Sequence, residues 1–186
     1  MKCAHRVMAL ILFVALFCFS GVSKARASAE SPGDVFRNFS DVLIYMVPSV
    51  AFGMTLNEKD NTGTWQFAET AVVTMGICTG LKYTVPERRP DGNKQSFPSG
   101  HVAIVVQSAE FMRKRYGWKF GLPAYAVATY VGFSRAETGA HYTRDILAGA
   151  AIAFVSTNLI TTKYEGWDVQ PVVGSSYLGV NLSRNW

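Results

Sequence analysis

The sequence predicts an all-α protein, a helical bundle that ends in a short C-terminal β-hairpin. Two observations predict it. Five apolar segments, at about 36–56, 65–85, 101–116, 120–133 and 145–162, have lengths that suit helices better than strands and are parted by polar, Gly- or Pro-containing loops. Near the end the pattern changes, because Leu178, Val180 and Leu182 alternate with Gly179, Asn181 and Ser183, with Gly174-Ser175-Ser176 as a turn before them. At 186 residues, with no repeat, low-complexity tract or linker, the chain makes one domain.

The elements follow in order. Residues 1–27 read as an export signal: Lys2, His5 and Arg6 form a basic start, Val7 to Phe19 an apolar run, and Ala25-Arg26-Ala27 a small-x-small cleavage site. An uncleaved anchor helix is the alternative. Residues 28–186 then form the single domain. The full chain carries 18 Lys+Arg against 13 Asp+Glu, a net charge of +5. Removing Lys2, Arg6, Lys24 and Arg26 leaves 14 basic residues against the same 13 acids, a net charge of +1. The compositional argument for nucleic-acid binding goes with those four charges. Of the three cysteines, Cys3 and Cys18 lie in the signal, so Cys78 has no internal disulfide partner and reads as a small buried hydrophobe.

The five helices sit at the edge of what a bilayer accepts. Mean hydropathy is +0.13 and only 17% of residues are charged. The segment from His101 meets Glu110 and then Arg113-Lys114-Arg115, and that from Phe120 has Pro123 near its start, whereas a span wants roughly 20 apolar residues. Asp41, Glu69 and Asn158 interrupt the three longer segments. The reading is a membrane-attached or partly embedded bundle, and a soluble bundle is its rival.

A set of polar residues stands between the second and fifth segments that a simple bundle does not need: Lys82, Arg89-Pro90, Pro98-Ser99-Gly100-His101, Ser134-Arg135, His141 and Asp145. These are parts for handling a phosphate. Lys82 and Arg89 supply a point charge and a bidentate fork. Pro98-Ser99-Gly100 before an apolar helix puts backbone N–H groups and a hydroxyl at a helix N-terminus, where an anion is stabilised. His141 and Asp145, four apart at the start of the last helix, place a carboxylate to accept a hydrogen bond from one imidazole nitrogen, leaving the other as a nucleophile. His101, on a different helix, is placed as general acid. Each residue also has a plainer reading as a helix cap or solvated side chain. His141-x3-Asp145 is also a metal-ligand spacing, but no acidic cluster stands near the two histidines, and no metal or other cofactor is expected.

Lys82-x6-Arg89-Pro90, Pro98-Ser99-Gly100-His101 and Ser134-Arg135-x5-His141-x3-Asp145 resemble the three motifs of the type 2 phosphatidic acid phosphatase (PAP2) superfamily, which includes vanadium haloperoxidase-like acid phosphatases, at all eleven specified positions. The chain is similar to the family's small exported, membrane-associated bacterial branch, and resembles lipid A phosphatases in size. The resemblance implies a six-helix core and a phosphatase domain over 28–186, with its catalytic core over about 65–162. It also implies that Lys82, Arg89, Ser99, Gly100 and Arg135 hold the phosphate, His141 forms a phosphohistidine, Asp145 orients it and His101 protonates the leaving group, without a metal. Ser134 is expected to serve the turn. The function expected is hydrolysis of a phosphate monoester or diphosphate of a membrane lipid (phosphatidic acid, phosphatidylglycerophosphate, lipid A or undecaprenyl diphosphate), facing the periplasm. The alternatives are a soluble broad-specificity periplasmic acid phosphatase and an envelope protein with a vestigial site. The motifs read the phosphate, not what it is attached to.

Overall fold

The computed structural model describes residues 32–164, 167–173 and 178–184, so the export signal read over 1–27 lies outside the described residues. Five helices follow in order: α1 (Pro32–Asn57), α2 (Asn61–Thr84), α3 (Gly100–Tyr116), α4 (Trp118–Glu137) and α5 (Thr143–Ile160). Strands β1 (Trp167–Val173) and β2 (Leu178–Arg184) pair antiparallel from Trp167↔Arg184 to Val173↔Leu178. The expected turn at 174–176 lies outside the described residues.

Each helix starts one to four residues before its apolar segment, because the first turn of a helix is set by capping and not by burial. The Asn61-Thr62-Gly63 stretch that reads as a loop is the first turn of α2. Asp60 caps it, accepting from the Gly63 N–H at 2.8 Å. The same carboxylate takes a two-pronged ion pair from Arg115, at 2.7 and 2.5 Å, and a hydrogen bond from the Tyr116 hydroxyl at 2.9 Å. Gly63 is small for that reason, since a Cβ there would lie 2.2 Å from the Asp60 carboxylate. At the next corner Gly117, with φ of 95°, ends α3 and lets α4 begin one residue later.

The chain runs up and down, and α3 is its axis, packed on the other four helices. Its Val102, Val105, Ala109 and Phe111 are buried with Leu43, Val47 and Ala51 of α1, Phe67 of α2 and Val131 of α4. Cys78 is fully buried, as read. Large apolar side chains also face outward, among them Val72 and Ile77 of α2, Leu122 and Phe133 of α4, and Leu147, Phe154 and Leu159 of α5. Among the described residues one helix, Val35–Asn57, is long and apolar enough by composition to cross a membrane. The topology gathers the start of α1, the end of α2, the starts of α3 and α5 and the end of α4 at one end of the bundle.

Candidate active site

That end holds every residue singled out from the sequence. Lys82 lies in the last turn of α2, and its ammonium donates to the Gln95 carbonyl at 2.8 Å. Its stem passes the start of α3, where a Cβ on Gly100 would lie 3.9 Å from the Lys82 Cε. Arg89 stands on a segment closed by the Arg89 N–H to Asn93 carbonyl bond at 2.7 Å and the Ser96 N–H to Glu87 carbonyl bond at 3.0 Å. The Asp91 N–H to Gly139 carbonyl bond ties that segment to the α4–α5 connection.

Ser99 is the N-cap of α3, but its hydroxyl makes no capping bond, so it leaves the first amides of the helix uncapped by a side chain. Its backbone is instead seated on α5. The Ser99 N–H donates to the Asp145 carbonyl at 2.9 Å, and its own carbonyl oxygen lies over Gly149, where a Cβ would come within 2.4 Å. The start of α3 is therefore set by contact between two backbones.

Arg135 is helical, in the last turn of α4, and 3% exposed. One of its terminal nitrogens pairs with the half-exposed Asp41 carboxylate of α1. Ser134, expected to serve a turn, sits on the helix beside it, and its hydroxyl donates to the Phe36 carbonyl at 3.3 Å. The Arg135 carbonyl accepts from both the Ala140 and the His141 N–H at 3.1 Å, so one peptide unit holds the nucleophile candidate beside the Arg135 guanidinium.

His141 is 2% exposed and precedes α5 instead of lying on it. The shared helical face expected for His141 and Asp145 is thus replaced by a contact across a helix cap. Asp145, in the first turn, reaches back to accept from the Tyr142 N–H at 3.1 Å and from the Ser96 hydroxyl. Its Oδ2 stands 3.7 Å from His141 Nδ1, an ion-pair distance and longer than a hydrogen bond. The His101 ring, at the start of α3, lies edge to face with His141 at 6.4 Å between centroids.

Eight buried side-chain polar atoms among the described residues have no hydrogen-bond partner, and five belong here: Arg89 Nε, Ser99 Oγ, Arg135 Nε, His141 Nδ1 and Asp145 Oδ1. Buried polar groups are normally paired, so such a concentration marks a place built for a polar ligand. The field is cationic. Burial, then Arg89 and Lys82, lower the His141 pKa to about 4. The buried part of the His101 ring, then Arg135, with Arg89 and Lys82 behind it and Asp41 opposing, lowers that pKa to about 4 as well. Both imidazoles are neutral near pH 7. Two contributors were not legible as site residues: fully buried Ser96, and Asp41, which the sequence offers only as a charge interrupting an apolar segment.

The PAP2 superfamily profile matches residues 63–167. The chain is 28% identical over 198 aligned positions to a lipid A 4'-phosphatase of Helicobacter pylori, covering 96% of each protein. It is 33% identical over 84 positions to a lipid A 1-phosphatase of Porphyromonas gingivalis, covering 43% of this chain and 19% of that relative. The crystal structure of Aquifex aeolicus LpxE shares the fold, with a TM-score of 0.61 and 17% identity over 77% of this chain and 92% of that one. With the family profile spanning more than half of its length and the family fold around it, the chain belongs to the PAP2 superfamily and is a phosphoric ester hydrolase.

Proposed function

We propose that the chain removes a phosphate, as monoester or diphosphate, from a membrane lipid through a phosphohistidine on His141 and without a metal. The observation that carries this reading is the group of five unpartnered buried polar atoms on Arg89, Ser99, Arg135, His141 and Asp145. Lys82, Arg89, Arg135 and the start of α3, with Ser99 and Gly100, bind the phosphate oxygens and take up the charge of the transition state. Nδ1 of His141 faces Asp145, so Nε2 is the attacking nitrogen. As the N–P bond forms, the P–O bond to the lipid breaks, and His101 gives its proton to the leaving oxygen. Water then attacks phosphorus, His101 takes a proton from it, and inorganic phosphate leaves with His141 restored.

His101 is neutral in the ligand-free site, so its proton comes with the substrate. A phosphate anion offsets the cations that hold the imidazole down and raises its proton affinity.

A lipid substrate is supported by the two lipid A phosphatases among the relatives and by the outward apolar faces of α2, α4 and α5. Lipid A, phosphatidic acid, phosphatidylglycerophosphate and undecaprenyl diphosphate are the candidates. The location that fits is the bacterial envelope, membrane-associated, with the site facing the periplasm after export by residues 1–27. The soluble acid phosphatase is the second reading, favoured by the charged residues that interrupt the helices, Asp41, Glu69 and Glu110 among them.

Phosphate release from those four lipids and p-nitrophenyl phosphate, with chelator and with vanadate, tests the proposal. Turnover should survive chelator, stop with vanadate and vanish in His141→Ala. Loss in chelator restored by a divalent cation overturns the metal-free step, and turnover in His141→Ala overturns the nucleophile. Full release of the protein from membranes by high salt favours the soluble reading.

A further inference from the structure

Both α4 and α5 pack along α3 yet touch each other sparsely, and a cavity of about 790 Å³ opens between them. Val102 and Val106 of α3 form its floor, while Ala128, Gly132 and Ala136 keep the α4 wall low and Ile146 and Ala150 line the α5 side. We infer that this groove holds one acyl chain of the phosphorylated lipid while its phosphate lies among the site's cations, an inference that rests on the lipid-phosphatase reading.

Three features argue for that occupant. The groove borders the site: Val102 is next to His101 on α3, Ala136 next to Arg135 on α4, and Ile146 next to Asp145 on α5. Its interior offers hydrocarbon and little else, because the Thr129 hydroxyl is turned to the Tyr125 carbonyl at 2.9 Å and the Tyr125 hydroxyl to Glu110. The polar lining residues Glu137 and Thr143 stand at the mouth, next to the site. Its length fits as well. From Glu137 back to Tyr125 on α4, and from Thr143 to Val155 on α5, the walls run about 18 Å at the rise of a helix. One leaflet of a bilayer core is about 15 Å deep. A second apolar groove shares Ala151 and Val155 of α5 with the first but adjoins no residue of the site, and its α2 wall, at Val73 and Ile77, serves as the control.

The exposed wall position Thr129, which lines this groove and not the second, accepts bulk without entering the core. Thr129→Phe, Thr129→Trp and the control Ile77→Trp are compared with the unaltered enzyme on dioleoyl and dihexanoyl phosphatidic acid in the same micelles and on p-nitrophenyl phosphate. Both wall variants should lose about tenfold or more in kcat/KM on the dioleoyl lipid, the equivalent of expelling a few methylenes. They should lose less on the dihexanoyl lipid and nothing on p-nitrophenyl phosphate, with Ile77→Trp unchanged throughout. Full dioleoyl turnover in both wall variants, or an equal loss on all three substrates, overturns the groove and leaves the lipid-phosphatase reading standing. An unaltered enzyme that cleaves p-nitrophenyl phosphate and no lipid overturns both.

Discussion

Replacing Gly149 by Ala alters none of the residues placed at the phosphate, yet it tests how the site is assembled. The new Cβ would lie 2.4 Å from the Ser99 carbonyl oxygen and 3.3 Å from its carbon. Both neighbours are backbone, so relief requires the start of α3 to move off α5 by close to 1 Å, which also stretches the 2.9 Å bond from the Ser99 N–H to the Asp145 carbonyl. Overpacking of this kind costs about 1–3 kcal/mol, and the better helix propensity of Ala returns about 1 kcal/mol. A net loss of about 0–2 kcal/mol lowers Tm by several degrees at most in a domain of this size. Activity should fall much further, by about a hundredfold in kcat, because a shift of that size misplaces Ser99 and Gly100 relative to His141. The assay pairs thermal unfolding with p-nitrophenyl phosphate hydrolysis. Gly76→Ala is the matched control, since nothing lies within 4 Å of a Cβ there. Unimpaired kcat in Gly149→Ala would refute the claim that backbone contact sets the phosphate cradle.

Other substitutions and conditions give sharper readouts of single contacts. Ser96→Ala removes a hydroxyl bonded to the Asp145 carboxylate and should lower kcat by about tenfold or more with KM little changed, as loss of a hydrogen bond to a charged group predicts; steady-state kinetics that match the unaltered enzyme would exclude Ser96 from positioning the carboxylate. Stability should fall as pH drops from 6.5 toward 4, because unfolded His141 binds a proton there and the folded residue does not until about pH 4. That loss is about 3 kcal/mol for a shift of this size, is complete below pH 4, and can be followed by urea unfolding, where a flat profile over this window would contradict the buried, neutral imidazole. Asp60→Ala strands the buried Arg115 guanidinium at the far end of the bundle and should cost about 3–5 kcal/mol, read as Tm, while KM of the folded fraction holds.

Legibility of the fold followed the physics of each element. Apolar periodicity located all five described helices, and it missed their first turns because those are polar by construction: Asn61-Thr62-Gly63 reads as a loop until Asp60 is seen to cap it. The candidate site could be picked out because anion handling needs particular side chains, and the structure brings Lys82, Arg89, Ser99, Gly100, His101, Arg135, His141 and Asp145 together at one end. Spacing did not give the relation between His141 and Asp145. A separation of four suggests one helical face, but α5 starts at Thr143 and the carboxylate turns back across the cap. Ser96, Asp41 and Gly149 were hidden because their roles exist only between segments distant in sequence.

The carbonyl of Arg135, which accepts from both Ala140 and His141, has a consequence for how broad a range of lipids the enzyme admits. Helices α4 and α5 touch each other sparsely along their lengths, so the width of the groove between them is not set by contact of one with the other. The proposed nucleophile, His141, and the cation proposed to steady its target, Arg135, share one anchor where α4 leads into α5, so their spacing does not depend on the width of that groove. Tolerance for the greasy part of a substrate and exactness toward its phosphate can therefore vary independently within one small bundle.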